Sequence, residues 1–245
     1  MFTYHTIREK ESVNIQSMVE KKVYIVANWK SNKNSIEVGN WFNSFSRLSS
    51  SEPKIMDECA IIVCPPFVHL KLAFELTRLY KLPIKIGAQD VSPFEAGAYT
   101  GAVTSAMVAE YAGYAIVGHS ERRMHFKEDD AMIALKVEQA ISNSISPILC
   151  IQSPKTPIPP KVSFVAYEPI SAIGTGNAED PKEANNVGEK IKKEGAERIF
   201  LYGGSVKSEN IQTFLQQPAI NGVLVGGASL SASRFWEMIL HAKRN

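Results

Sequence analysis

Apolar and polar positions follow one another along this chain in two rhythms. Short apolar, β-branched runs recur at Val23–Ala27, Ala60–Cys64, Ile84–Ala88, Tyr114–Gly118, Pro147–Ile151, Val162–Tyr167, Arg198–Tyr202 and Gly222–Val225. Most are continuously apolar, the pattern of strands buried on both faces of a parallel sheet. Helical spacing occupies the intervals at Ile36–Leu48, Val68–Leu79, Ala131–Ser142, Pro181–Glu194, Ser208–Gln216 and Ala232–His241. Eight strand-like runs alternating with helices over 245 residues predict an α/β chain, either a (β/α)8 barrel or a doubly wound sheet.

One interval breaks the rhythm. The run starting at 162 follows the one starting at 147 by 15 residues, where the other intervals are 23 to 37. Residues 152–161 read Gln-Ser-Pro-Lys-Thr-Pro-Ile-Pro-Pro-Lys. Proline lacks a backbone donor and blocks helix, so this link is predicted to be extended, in place of one outer helix. Such a gap is expected to leave apolar flanks exposed, to be covered by a second copy of a dimer or by a neighbour's N-terminal extension. Residues 1–21 read as that extension, polar with a weak helical pattern at Val13–Val19, and 22–245 as a single barrel domain.

Composition narrows the functional classes. Hydrophobic residues make up 44% and charged residues 21%, which supports a sizeable core. Lysine plus arginine number 27 against 25 acids, a net charge of +2 that gives no general attraction to nucleic acid or anionic membrane. No apolar run reaches the roughly 20 residues of a membrane helix. Residues 1–22 carry no apolar signal core, and three cysteines in a chain this long argue for a reducing compartment. The expectation is a cytoplasmic protein.

Polar residues gather where the predicted strands end. The first run leads into Asn28-Trp29-Lys30, the fourth into His119-Ser120-Glu121-Arg122-Arg123, and the sixth into Glu168-Pro169. The seventh and eighth lead into Gly203-Gly204-Ser205 and Gly226-Gly227-Ala228. Singly, each has an ordinary reading as a solvated lysine, a core histidine or a turn. Together, in a barrel, they would place an amide, an ammonium, an imidazole and a carboxylate at one mouth beside two glycine turns. That set suits proton transfer beside the carbonyl of a phosphorylated substrate. Competing signatures fail: Gly174-Thr175-Gly176 lacks the third glycine of a dinucleotide fingerprint, and Gly118-His119-Ser120-Glu121-Arg122 lacks the final glycine of a nucleophile elbow. No Walker sequence or zinc spacing occurs.

These segments resemble the triosephosphate isomerase family. The matches include Ala27–Lys30, Gly118–Arg123, Ala166–Pro169, Ala172–Gly176, Tyr202–Val206 and Gly222–Leu230, with Cys64–Phe67 and Gly87–Asp90, from about Val23 onward. The resemblance implies a TIM barrel that interconverts dihydroxyacetone phosphate and D-glyceraldehyde 3-phosphate in glycolysis and gluconeogenesis, without metal or organic cofactor. It implies Glu168 as the base and His119 as a neutral electrophile behind which Ser120-Glu121 opens a helix. Lys30 and Asn28 would hold substrate and enediolate, with Glu121, Ser120 and Cys150 around them. Gly174, Ser205, Gly226 and Gly227 would cradle the phosphate.

The same resemblance makes Pro169, Ile170, Ser171, Ala172, Ile173, Gly174, Thr175, Gly176, Asn177 and Ala178 a lid. Ser171 stands where the family usually has tryptophan and Asn177 where it usually has lysine, so slower lid motion and slower turnover are expected. Phe94–Thr104 resembles the loop that docks into a second subunit, implying a homodimer. There Ala102 replaces a usual acid that would face Arg122, and Thr100 would support the neighbour's site. Two readings stay open at this point, an active isomerase and a non-catalytic descendant kept as a binding protein.

Overall fold

The computed structural model describes residues 22–169, 178–195 and 197–242. Eight parallel strands close into a barrel in chain order: β1 (Val23–Asn28), β2 (Cys59–Cys64), β3 (Ile84–Ala88), β4 (Tyr114–Val117), β5 (Ser146–Ile151), β6 (Phe164–Tyr167), β7 (Ile199–Tyr202) and β8 (Gly222–Val225). The last strand closes on the first through Tyr24↔Gly222 to Ala27↔Val225. A side chain at Gly222 would press its Cβ to 2.0 Å from the Tyr24 carbonyl, so only glycine fits that seam. The barrel reading holds, and the doubly wound sheet is excluded by closure.

Strand side chains alternate between two cores. Val26, Ile62, Ile116, Ile148, Cys150, Ala166, Leu201 and Leu224 fill the barrel. At the strand starts Tyr24 and Tyr114 meet the edge of Phe164 at 5.1 and 5.5 Å, filling that end of the interior. The other set, among them Ile25, Val63, Leu149, Val165 and Phe200, points outward to the helices.

The described helices are α1 (Ser35–Ser49), α2 (Ile55–Glu58), α3 (Leu70–Leu79), α4 (Ser105–Ala109), α5 (Ser120–His125), α6 (Asp130–Ser142), α7 (Pro181–Glu194), α8 (Ile211–Leu215) and α9 (Ala232–His241). Their starts are written in the sequence. Asn34 and Glu37 form a reciprocal capping box on α1, and Asp129, Asp180 and Ser231 cap α6, α7 and α9. Helix α1 buries Val38, Trp41, Phe42 and Phe45, the i, i+3, i+4, i+7 face its spacing predicts. Helix α8 is shorter than the predicted Ser208–Gln216. Before it, Asn210 folds its side chain back, accepting from Lys207 N–H and donating to the Ser205 carbonyl.

Between β5 and β6 the chain forms turns and no helix, as the prolines require. The expectation of exposed apolar flanks is overturned. Outward-facing Leu149, Ile151 and Val165 are fully buried and Val162 nearly so. The link itself folds back, and Ile158 packs against the outer core. No neighbouring chain is needed to cover these strands.

Candidate active site

The polar strand ends converge on one cavity of about 500 Å³ at the C-terminal mouth. Asn28, Lys30, His119, Glu168, Gly203–Ser208 and Gly226–Ala228 line it, with Arg234 and Glu237 of α9.

Two residues after β1, Lys30 sits at φ 51°, a left-handed conformation unusual for lysine. Three contacts fix it there. Its N–H donates to the Asn28 side-chain oxygen at 3.0 Å. Its carbonyl accepts from the Gln89 amide, which also reaches the Cys64 carbonyl, both at 2.9 Å. Its ammonium meets Glu121 at 2.5 Å. Gly226 approaches so closely that an added Cβ would touch the Lys30 chain at 3.4 Å.

At the end of β4 the chain turns through Gly118 at φ 72°, and a Cβ there would crowd Ile133 at 3.1 Å. His119 then caps α5: its Nδ1 accepts the Glu121 backbone N–H at 3.2 Å. A ring nitrogen that accepts carries no proton, so the proton is on Nε2. The Glu121 carboxylate, 3.8 Å from Nδ1, is too far to compete. Nε2–H donates to Glu168 Oε1 at 2.9 Å. The other Glu168 oxygen accepts Ser120 N–H at 2.8 Å, while Glu168 N–H donates to the Ile151 carbonyl. Glu168 is thus buried, with both oxygens held by neutral donors.

Beneath it lies Cys150, fully inside the barrel. Burial first, and then the charge of Glu168, pushes its thiol well above the ordinary range. It stays an uncharged wall.

Beside these side chains stand the two glycine turns. Gly203 N–H donates to the Tyr167 carbonyl at 2.7 Å, and a Cβ on Gly203 would meet Glu168 Cγ at 3.0 Å. After β8, Gly227–Leu230 forms one turn of 3-10 helix tied to the Gly226 carbonyl by Ser229. Both turns, with Arg234 of α9, line the same cavity.

A family model described as triosephosphate isomerase matches residues 23–158 and 159–242. Similar curated proteins carry the same description. That of Mesomycoplasma hyorhinis is 36% identical over 89% of this chain and 98% of that protein. That of Dictyoglomus turgidum is 35% identical over 89% and 99%, and that of Thermus thermophilus 35% over 89% and 98%. The chain belongs to the triosephosphate isomerase family.

For this isomerase-family chain, Asn28, Lys30, His119, Glu168, Ser205, Gly226 and Gly227 lie at the one cavity, with Ser120, Glu121 and Cys150 in contact with its members. The lid positions 170–177, Gly174 among them, and the extension 1–21 lie outside the described residues. Arg122, predicted to lose a partner at Ala102, meets Asp90 at 2.9 Å and Glu128 at 2.7 Å within its own chain. Gln89 was visible only as part of a motif. Its role as the clamp on the Lys30 turn depends on a contact across 59 residues, which no local pattern reveals. Among the described residues no cluster of His, Cys, Asp and Glu could hold a metal ion, and no helix is long and apolar enough to cross a membrane.

Proposed function

We propose that the chain interconverts dihydroxyacetone phosphate and D-glyceraldehyde 3-phosphate in glycolysis and gluconeogenesis, with Glu168 as base and His119 as electrophile. One observation carries this: a carboxylate and an Nε2-protonated imidazole share a hydrogen bond at the rim of a cavity that also holds Lys30 and the Gly226–Gly227 turn.

The substrate phosphate sits on the backbone N–H groups of the Ser205 and Gly226–Gly227 turns, and the 169–178 segment including Gly174 acts as lid. The substrate oxygens take the place of Glu168 at His119 Nε2–H, beside Asn28 and the Lys30 ammonium. The freed Glu168 carboxylate removes a proton from the carbon next to the carbonyl. The C–H electron pair becomes the enediolate double bond, and the carbonyl oxygen takes the negative charge. Nε2–H and Lys30 stabilise that charge, and the imidazole carries a proton from one oxygen to the other. Glu168 then returns its proton to the neighbouring carbon. No step calls on a cofactor.

The homodimer reading rests on Phe94–Thr104. Phe94 and Tyr99 stack at 4.2 Å, and both are exposed beside exposed Phe126 and Met132 around a cavity of about 650 Å³. That apolar rim fits a second copy, and sedimentation at decreasing concentration tests it. A fully active monomer would remove the dimer from the account. Cytoplasmic residence follows from the metabolic reading.

A coupled isomerase assay beside Glu168→Gln tests the function. Turnover that collapses in the variant is the expected result. A folded, phosphate-binding protein without turnover would replace the enzyme by the binding-protein reading.

A further inference from the structure

Behind the mouth, Tyr167 and Tyr202 are register partners, the last residues of β6 and β7. Each immediately precedes a working part of the site, Glu168 in one case and the Gly203–Ser205 turn in the other. Both rings point outward into the core, Tyr167 stacked on Phe200 and Tyr202 on Phe214. Their hydroxyls meet one residue, Glu179. The Tyr167 hydroxyl donates to Glu179 Oε1 at 3.3 Å. The Glu179 backbone N–H donates to the Tyr202 hydroxyl at 2.9 Å.

This carboxylate is not placed for its own comfort. Its second oxygen is buried without a hydrogen-bond partner among the described residues. The ionisable groups that act on it are Tyr167 of β6, its own neighbours Asp180 and Glu183, and, through the backbone, Tyr202 of β7. Burial first, then the acids Glu183 and Asp180, raise its proton affinity, while the Tyr167 bond opposes them. Tyr167 is pushed up to about 12, by burial first and then by the Glu179 charge. A surface residue with no task would turn this oxygen to water.

We propose that Glu179 is a positioning residue: through the Tyr167 hydroxyl its carboxylate anchors the end of β6 and sets how Glu168 faces the Gly203–Ser205 turn. This rests on the isomerase reading. The effect reaches the base through the backbone. Tyr167 carries Glu168 on its carboxyl side, and its carbonyl accepts Gly203 N–H at 2.7 Å. Gly204 leaves no slack, since a Cβ there would overlap the Tyr202 hydroxyl at 2.2 Å.

The test compares Glu179→Ala with Glu179→Gln in the full chain. Alanine removes the acceptor and should lower kcat about tenfold with KM within about twofold, less than the 100-fold that an ångström of misplacement can produce. Glutamine keeps an oxygen for the Tyr167 hydroxyl and should stay within about twofold of the parent. Tyr167→Phe should slow the parent enzyme yet add nothing to Glu179→Ala, because both remove one link. A stability role alone would shift the melting temperature of Glu179→Ala and leave its kcat unchanged, and that result overturns the proposal. So does a glutamine variant as slow as alanine.

A second readout does not need turnover. Tyrosine ionisation followed by ultraviolet absorbance, with Tyr167→Phe identifying the signal, should show Tyr167 titrating lower in Glu179→Gln. If the parent chain has no isomerase activity, the functional reading falls, and an unmoved Tyr167 titration then removes the link as well.

Discussion

Two groups of buried charges lie close together under the barrel mouth and are solved in opposite ways. In one, Lys136 meets Asp90 at 2.7 Å and Glu128 at 2.5 Å, while Arg122 reaches the same two acids. Every member faces an opposite charge. In the other, Glu168 is as deeply buried, yet among the described residues its oxygens meet an imidazole N–H, a backbone N–H and the Cys150 thiol, all uncharged donors. The Lys30 ammonium that lines the same cavity is held by Glu121 instead. A carboxylate locked to a cation in a dry interior is held in place, since separating the pair strands a charge. One held by neutral donors can be released when substrate oxygens take over those donors. On the proposed reading, the difference separates a group that keeps the fold from a group that does chemistry.

The comparison can be broken most directly at its centre. Glu168→Gln should lower turnover about 1,000-fold with little change in melting temperature. A variant that unfolds instead would place Glu168 with the structural charges. Next in size, Lys30→Ala should lower turnover about 100-fold through lost charge stabilisation. A change in KM alone would limit Lys30 to binding.

Lys136→Met should act on the other ledger, destabilising by about 3–5 kcal/mol while the folded fraction keeps its turnover. Urea denaturation against activity per folded molecule measures both, and a loss below about 1 kcal/mol would make the cluster dispensable.

The smallest effect sharpens the contrast from the alkaline side. Burial raises all three thiols, Cys59 to about 12 and Cys64 and Cys150 well above the ordinary thiol range. Above pH 9 the unfolded chain releases thiol protons that the fold keeps, so stability falls as pH rises. The slope is at most about 1.4 kcal/mol per pH unit for each thiol. Cys150→Ser should flatten it by one share, measured by denaturation between pH 8.5 and 10.5. An unchanged slope would mean that Cys150 is not shielded.

What the sequence made legible follows from what leaves a local trace. The strands were readable because burial on both faces makes them uniformly apolar, α1 and α9 because a long apolar stripe and a cap coincide, and α7 because Asp180 caps it and Pro181 opens it. Helices α2 and α4, of 4 and 5 residues, are too short to show a period and went unseen. The site was readable because Asn28, Lys30, His119 and Glu168 are polar residues directly after apolar runs. Gln89, Glu179 and the Lys136 cluster were not, since each depends on at least one partner 12 or more residues away, Lys30, Tyr167 and Asp90 respectively. The covering of β5 and β6 by their own short link was invisible for a related reason. Ile158 reads as one apolar residue among prolines until it is seen against the core.

That link also alters the order in which the barrel can assemble. Leu149 and its partner Val165 are 16 residues apart in the chain, whereas the other consecutive strand pairs are 21 to 36 apart. Closing a shorter loop loses less chain entropy, and prolines have already restricted this one in the unfolded state. The β5–β6 pair is therefore the cheapest parallel contact to form and should gain amide protection first in pulse-labelled refolding. Shedding an outer helix gives the folding reaction a preferred place to begin.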